Sequence, residues 1–330
     1  MSEAQIAEFD LIDILRERCG LARADVRLGI GDDAAVLAPP AGHELVVATD
    51  TLVAGVHFPA STRPEDIGWK ALAVNLSDLA AMGATPAWAL LALTMPAADR
   101  SFVERFADGF GELAAQHHIA LVGGDTTRGA LTISVTALGF VPPEQALRRD
   151  GAREGDLVFV TGTLGDAAAG LRCLEISTAA RHVDASPEAR AALIARLDRP
   201  VPRIAAGVVL RGAASSCIDL SDGLLADLGH VATRSGVGIE ISASALPASP
   251  ALLDSFDAPA RTALQAAGGD DYELAFTLPP QHVAAVTRDL ARLGCGATRI
   301  GRVVAGTAVR LVDDEGNDIA MPHRGWEHFA

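Results

Sequence analysis

Cys217-Ile218-Asp219-Leu220-Ser221-Asp222-Gly223-Leu224 reads as a short apolar strand entering a Ser-Asp-Gly turn, with a helix beginning at Leu224. The same order, an apolar run, then Gly or Thr, then Asp, recurs at Gly31-Asp32-Asp33, Thr49-Asp50, Gly124-Asp125 and Gly269-Asp270-Asp271. Working outward, strands are expected at Leu45–Ala48 (buried), Ala87–Thr94, Ile119–Val122, Leu131–Phe140, Leu157–Val160, Tyr272–Leu278 and Ile300–Leu311. Helices are expected at Ile6–Arg18, Trp69–Met82 and Phe102–His117. On the second of these, Leu72, Leu76 and Leu79 form the apolar side, with Asn75 and Asp78 elsewhere on the wheel. Ser177–Ala192 is rich in Ala, Ser and charge and reads as a peripheral helix or loop. Strands alternating with helices in both halves predict an α/β (α+β) fold. Pro142-Pro143 opens a polar passage to Gly155, which divides the chain into domains 1–150 and 151–330.

With 330 residues, 49% hydrophobic and 21% charged, each half can bury a core and extended disorder is excluded. Twenty-seven basic residues against 42 acidic ones leave a net charge of −15. Such a surface repels nucleic acid and anionic membrane, so neither is an expected partner. Lys70 is the only lysine and does not stand in GxxxxGK[ST], which excludes a P-loop. Cys19, Cys173, Cys217 and Cys295 are scattered and predict reduced thiols of a cytoplasmic protein. Met1–Cys19 is acidic and amphipathic, so no signal peptide is expected. Leu79–Ala98 is uncharged, but Gly83, Pro86 and Pro96 favour a helix end followed by a buried strand over a membrane span.

Taken singly, each aspartate has a local reading as turn former or helix cap, and Ser221 and Asp222 read equally well as caps of the helix from Leu224. Taken together, carboxylates at strand ends, with Asp78 added from a helix, imply convergence offset by cations. Oxygen donors without histidine or thiolate select Mg²⁺. Neighbouring glycines let the backbone approach a phosphate. In so acidic a chain a polyphosphate is held through bridging metal and a few arginines, Arg128 and Arg149 being nearest. The chemistry implied is Mg²⁺-dependent phosphoryl transfer. Gly162-Thr163-Leu164-Gly165 reads first as a tight strand-to-helix turn and second as a phosphate site. His117-His118 lacks metal-ligand spacing, and there is no GxSxG elbow.

Leu28-Gly29-Ile30-Gly31-Asp32-Asp33-Ala34, Thr49–Phe58, Lys70–Gly83, Gly123–Gly129, Ile218–Leu224 and Gly268-Gly269-Asp270-Asp271-Tyr272-Glu273-Leu274 appear in that order. The set resembles the thiamine-monophosphate kinase family of the aminoimidazole ribonucleotide synthetase-like superfamily, from about Phe9 to Phe329. The resemblance implies an N-terminal domain that binds ATP and Mg²⁺ and pairs in a homodimer, and a C-terminal α/β domain closing the active site. It implies transfer of the ATP γ-phosphoryl group to thiamine monophosphate, giving thiamine diphosphate, the last step of that cofactor's synthesis. Carried over by motif, Asp33, Thr49, Asp50, Asp78, Asp125, Asp219 and Asp222 would bind several Mg²⁺ ions. Asp108, Gly124, Asp125, Arg149 and Ser221 would hold ATP, and His57, Asp270 and Trp326 would line the thiamine phosphate site.

Two positions depart from the family pattern. Ala48 replaces a hydroxyl residue before the Thr-Asp pair, and Asp270 replaces a glutamate one methylene longer. The expected mechanism is direct in-line attack by a phosphate oxygen, with no covalent nucleophile on the enzyme. The competing readings are another ATP-dependent synthetase of the superfamily and a non-catalytic sensor of nucleotide or divalent cation.

Overall fold

The computed structural model describes residues 7–175 and 185–327. It divides into two compact units, one running to Leu79 and including Ala84–Glu144, the other comprising Ala80–Gly83 and the chain from Gln145.

The first unit contains α1 (Glu8–Cys19), β1 (Val26–Leu28), β2 (Val36–Leu37), β3 (Glu44–Val53), α2 (Pro64–Ala81), β4 (Thr85–Met95), α3 (Arg100–Gln116), β5 (Ala120–Arg128) and β6 (Thr132–Val141). Its four-stranded sheet has the order β3-β6-β4-β5. Only the β4–β5 pair is parallel, and α3 makes the crossover that a parallel pair requires. Asp99 starts α3 by accepting from the Phe102 amide, and Phe102, Phe106 and Phe110 stack along one side at helical spacing. The helix α2 differs from the expected amphipathic wheel: Leu72, Leu76 and Leu79 are buried, but so are Lys70, Asn75 and Ser77. Burial all round is tolerable for Asn75 because its amide donates to the Ala71 carbonyl and accepts from the Asp50 N–H.

Two expected strand ends are corrected. The strand placed at Leu45–Ala48 runs on through Thr49 and Asp50 to Val53 and lies at the sheet edge, with Leu45 and Val47 49% and 55% exposed. Pairing with β6 over ten residues extends it, and hydroxyl pairs Thr49–Thr136 and Thr51–Ser134 line its outer face. The strand expected to stop at Val122 likewise continues through Gly123-Gly124-Asp125 to Arg128. A β-carbon at Gly124 would collide with the Leu91 carbonyl oxygen, so glycine alone lets β5 stay against β4.

The second unit contains β7 (Leu157–Thr161), α4 (Asp166–Glu175), α5 (Pro187–Asp198), α6 (Ile204–Leu210), β8 (Ser216–Asp219), α7 (Leu224–Ser235), β9 (Gly238–Ser242), α8 (Pro250–Ser255), α9 (Ala258–Ala267), β10 (Leu274–Leu278), α10 (Val283–Arg292), β11 (Ala297–Val304) and β12 (Val309–Val312). Residues 177–184 of the expected peripheral segment lie outside the described residues; its remainder enters α5, capped by Ser186. The six strands order as β12-β9-β11-β7-β10-β8, with only β12–β9 parallel. Alternation along β7 serves both faces. Val158 and Val160 pack with Leu224, Leu228 and Val231 of α7, while Phe159 stacks on Phe276 beside α6 and α10. Each such side chain contributes about 1.5–3 kcal/mol of burial.

The run expected as one strand, Ile300–Leu311, is two. β9 lies between β11 and β12 and pairs antiparallel with one and parallel with the other, so the chain must turn back between them. The two-domain α+β expectation holds. Among the described residues no helix is long and apolar enough to cross a membrane.

Candidate active site

In the first unit, a cleft of about 790 Å³ opens between α1, the loop joining β1 to β2, and β4–β5. Asp33, Gly124 and Asp125 line it together with Asp32 and Arg16. Gly31 turns the loop at φ 126°, and the Asp32 carboxylate accepts from the Asp33 amide at 2.9 Å. Asp125 is exposed within β5 rather than at a turn, paired in register with Ala92. Thr49 and Asp50 also lie inside a strand. The Thr49 hydroxyl bonds Thr136 at 2.8 Å, and the Asp50 N–H donates to Asn75 at 3.0 Å. Asp78 stands one helical turn beyond Asn75 on α2. His57 closes the turn after β3, its Nδ1 accepting from the Val53 N–H at 3.0 Å. Asp108 is not among the cleft-lining residues: it sits on α3, where Arg18 holds its carboxylate.

In the second unit three loops converge. The Asp270 N–H donates to the Ser221 carbonyl at 2.8 Å, and the Trp326 N–H donates to the Asp222 carbonyl at 3.0 Å. Asp270 and Tyr272 both take positive φ, 68° and 49°, a conformation costing about 1–3 kcal/mol each. The Tyr272 hydroxyl donates to the Asp270 carboxylate at 3.1 Å. Ser221 and Asp222 do not cap α7, whose N-cap is Gly223 without a side-chain bond. Asp227, inside the helix, instead fixes the preceding turn, accepting from the Asp222 and Gly223 amides at 3.2 and 3.1 Å. Burial first, then the nearby charges of Asp219 and Asp222, push Asp227 up to about 8. Sequence reading missed Asp227, because an aspartate in the first turn of a helix is common. Arg149 is exposed, and its carbonyl accepts from the Ser235 hydroxyl.

The rest of the Gly268–Leu274 motif is scaffold. The Asp271 carboxyl accepts from the Gly165 N–H at 2.9 Å, so the α4 N-terminus is occupied by the chain's own side chain and the tight-turn reading of Gly162–Gly165 holds. Burial raises Asp271 well above the usual carboxylate range. Glu273 is fully buried and bonded by Arg196 at 2.8 Å, by Arg203 at 2.5 and 2.6 Å, and by Thr161 at 2.6 Å.

Among the described residues, no three His, Cys, Asp or Glu side chains gather into a group able to hold a metal ion. The donors that line the cleft are nonetheless all oxygen, as Mg²⁺ requires. That ion is usually held by one or two carboxylates plus substrate phosphates and water. Asp33 and Asp125 fit such a shared shell.

The model of the AIR synthase related protein N-terminal domain matches residues 31–141, and that of the C-terminal domain matches residues 153–314. Thiamine-monophosphate kinase of Escherichia coli (strain K12) is 45% identical over 98% of both chains. The crystal structure of thiamine-monophosphate kinase from Stenotrophomonas maltophilia K279a superposes with a TM-score of 0.86 at 50% identity, covering 95% of this chain and 98% of that one. AaThiL, complexed with AMPPCP and TMP, matches over the full length of both chains at 35% identity and a TM-score of 0.75. With both halves matched and relatives this similar along nearly its whole length, the chain belongs to the thiamine-monophosphate kinase family of AIR synthase related proteins.

Proposed function

We propose that this chain phosphorylates thiamine monophosphate with ATP, giving thiamine diphosphate and ADP in the last step of thiamine diphosphate synthesis. The observation that carries the reading is the backbone clamp between motifs, Asp270 on Ser221 and Trp326 on Asp222. It gathers acidic, hydroxyl and aromatic groups suited to a phosphorylated cationic heterocycle. AaThiL, 35% identical, takes AMPPCP and TMP.

The acceptor phosphate is anionic near neutral pH, so in-line attack on the γ-phosphorus needs neither a covalent nucleophile nor a strong base. Gly124 brings backbone close to the ATP phosphates, with Arg149 and Ser221 as further ATP contacts. Asp33, Thr49, Asp50, Asp78, Asp125, Asp219 and Asp222 are the proposed Mg²⁺-side oxygens. Bound Mg²⁺ supplies charge neutralisation on the transferring phosphoryl group. His57, Asp270 and Trp326 orient thiamine monophosphate. Ala48 offers only its carbonyl where a hydroxyl is usual.

Two further assignments belong to this proposal. The half-exposed Leu45 and Val47 on the β3 edge, with Leu90 exposed on β4, favour a homodimer formed through that sheet, which sedimentation velocity checks. Four cysteines without disulfides and ATP as co-substrate favour the cytoplasm.

The decisive assay measures ADP release and thiamine diphosphate formation with Mg²⁺, ATP and thiamine monophosphate. ADP release dependent on thiamine monophosphate, with matching product, is expected. ATP turnover with another acceptor alone would favour a different synthetase of the superfamily, and nucleotide binding without turnover would favour a sensor.

A further inference from the structure

The chain's single lysine, Lys70, is 1% exposed within α2. A buried ammonium is costly unless its donors are satisfied. One of them is met by the main-chain carbonyl of His57, 3.2 Å from Nζ. His57 belongs to a turn closed on itself. Its N–H donates to the Val53 carbonyl at 3.0 Å, its ring Nδ1 accepts from the Val53 N–H at 3.0 Å, and the Gly55 N–H donates to Phe58, which is buried. Because Nδ1 accepts, the neutral ring carries its proton on Nε2. Ring orientation, tautomer and backbone of His57 are thus set by the turn, and the turn is tied to α2 through the lysine.

An arginine would bring a planar fork with five donors in fixed directions. A lysine brings a compact charge on a slender stem. All 26 other basic side chains are arginine, so the ammonium stands where a point charge suits the geometry.

We infer that Lys70 is a positioning residue for thiamine monophosphate: its ammonium, bonded to the His57 carbonyl, holds the His57 turn in the orientation that receives the substrate. This rests on the kinase reading above, in which His57 contacts the acceptor. In this role the loss of Lys70 acts on acceptor binding through His57 and leaves ATP binding alone.

The test uses the full chain with Lys70→Met, Lys70→Gln, His57→Ala and the Lys70→Met/His57→Ala pair, assayed for KM of each substrate and for kcat. Lys70→Met is expected to raise the thiamine monophosphate KM by about tenfold, the scale of one lost charge-assisted hydrogen bond, with the ATP KM within about twofold. Lys70→Gln, retaining an N–H donor, should recover part of that loss. In the His57→Ala background Lys70→Met should add nothing. A folded Lys70→Met with an unchanged acceptor KM, an equal rise in both KM values, or full additivity with His57→Ala would overturn the inference. So would failure of both Lys70 variants to fold, since Lys70 would then be a determinant of the fold. Absence of kinase activity in the unaltered chain would instead overturn the functional reading.

Discussion

The main-chain N–H of Trp326 donates to the carbonyl of Asp222 at 3.0 Å, stapling the C-terminal segment to the loop between β8 and α7. Gly325 makes this approach possible: a β-carbon there would lie 2.7 Å from the same carbonyl oxygen and 2.6 Å from the Ala226 β-carbon. Gly325→Val should therefore push Trp326 off Asp222 without disturbing the sheet. The expected result is a raised KM for thiamine monophosphate, altered tryptophan fluorescence and a nearly unchanged melting temperature. An unaltered acceptor KM would separate Trp326 from the substrate site.

Glu273 is the anion on which Arg196 and Arg203 both close. Removing its charge leaves two largely buried guanidinium groups without their partner, a loss of about 3–5 kcal/mol. Glu273→Gln should show this as a lowered urea midpoint. A change under about 1 kcal/mol would mean that solvent already satisfies the arginines.

The Asp271 carboxyl titrates well above its unfolded value because burial disfavours its charge. The folded state then keeps a proton that the unfolded chain has released above about pH 4. Its contribution to stability is full below that point and is lost as pH rises through the folded value. Asp271→Asn keeps an acceptor for the Gly165 N–H and cannot ionise. Between pH 5 and pH 9, in EDTA, the variant should lose less unfolding free energy than the unaltered chain. Parallel pH profiles would rule this out.

Mg²⁺ with AMPPCP should raise the melting temperature, by linkage worth about 2.7 kcal/mol at a hundredfold excess over Kd. EDTA should abolish the effect. Asp125→Asn replaces a charged oxygen lining the cleft and should lose most of the shift while melting normally without ligand. A full shift in that variant would remove Asp125 from the nucleotide–metal site.

All four thiols are buried, and burial pushes the Cys19 thiol up to about 12 and that of Cys217 higher still. Ellman's reagent at pH 8 should find none of them in the native protein and all four in guanidinium chloride. Rapid reaction of one native thiol would contradict its burial.

Local patterns made much of this molecule legible. Helical spacing locates α1 and α3, and the strand-turn-helix order at Cys217–Leu224 is the one the fold adopts. Motif matching named Asp33, Gly124 and Asp125, which share one cleft, and Ser221, Asp222, Asp270 and Trp326, which share one cluster of loops. Side-chain chemistry and turn preference act over a few residues, so a short window contains them.

What pairs with what required the folded chain. The aspartates of β3 and β5 read as turn residues because Gly and Thr precede them; ten-residue pairing with β6 and the close approach of Gly124 to Leu91 keep both inside strands. Asp222 reads in sequence equally well as a cap or as a ligand; in the fold its own amide and that of Gly223 donate to Asp227. Lys70, in the sequence only a single lysine outside any P-loop motif, is in the fold a buried donor to His57. In each case the deciding partner is a backbone or side-chain group brought close by folding. A hydrogen bond depends on distance and direction in space, and composition and periodicity carry neither.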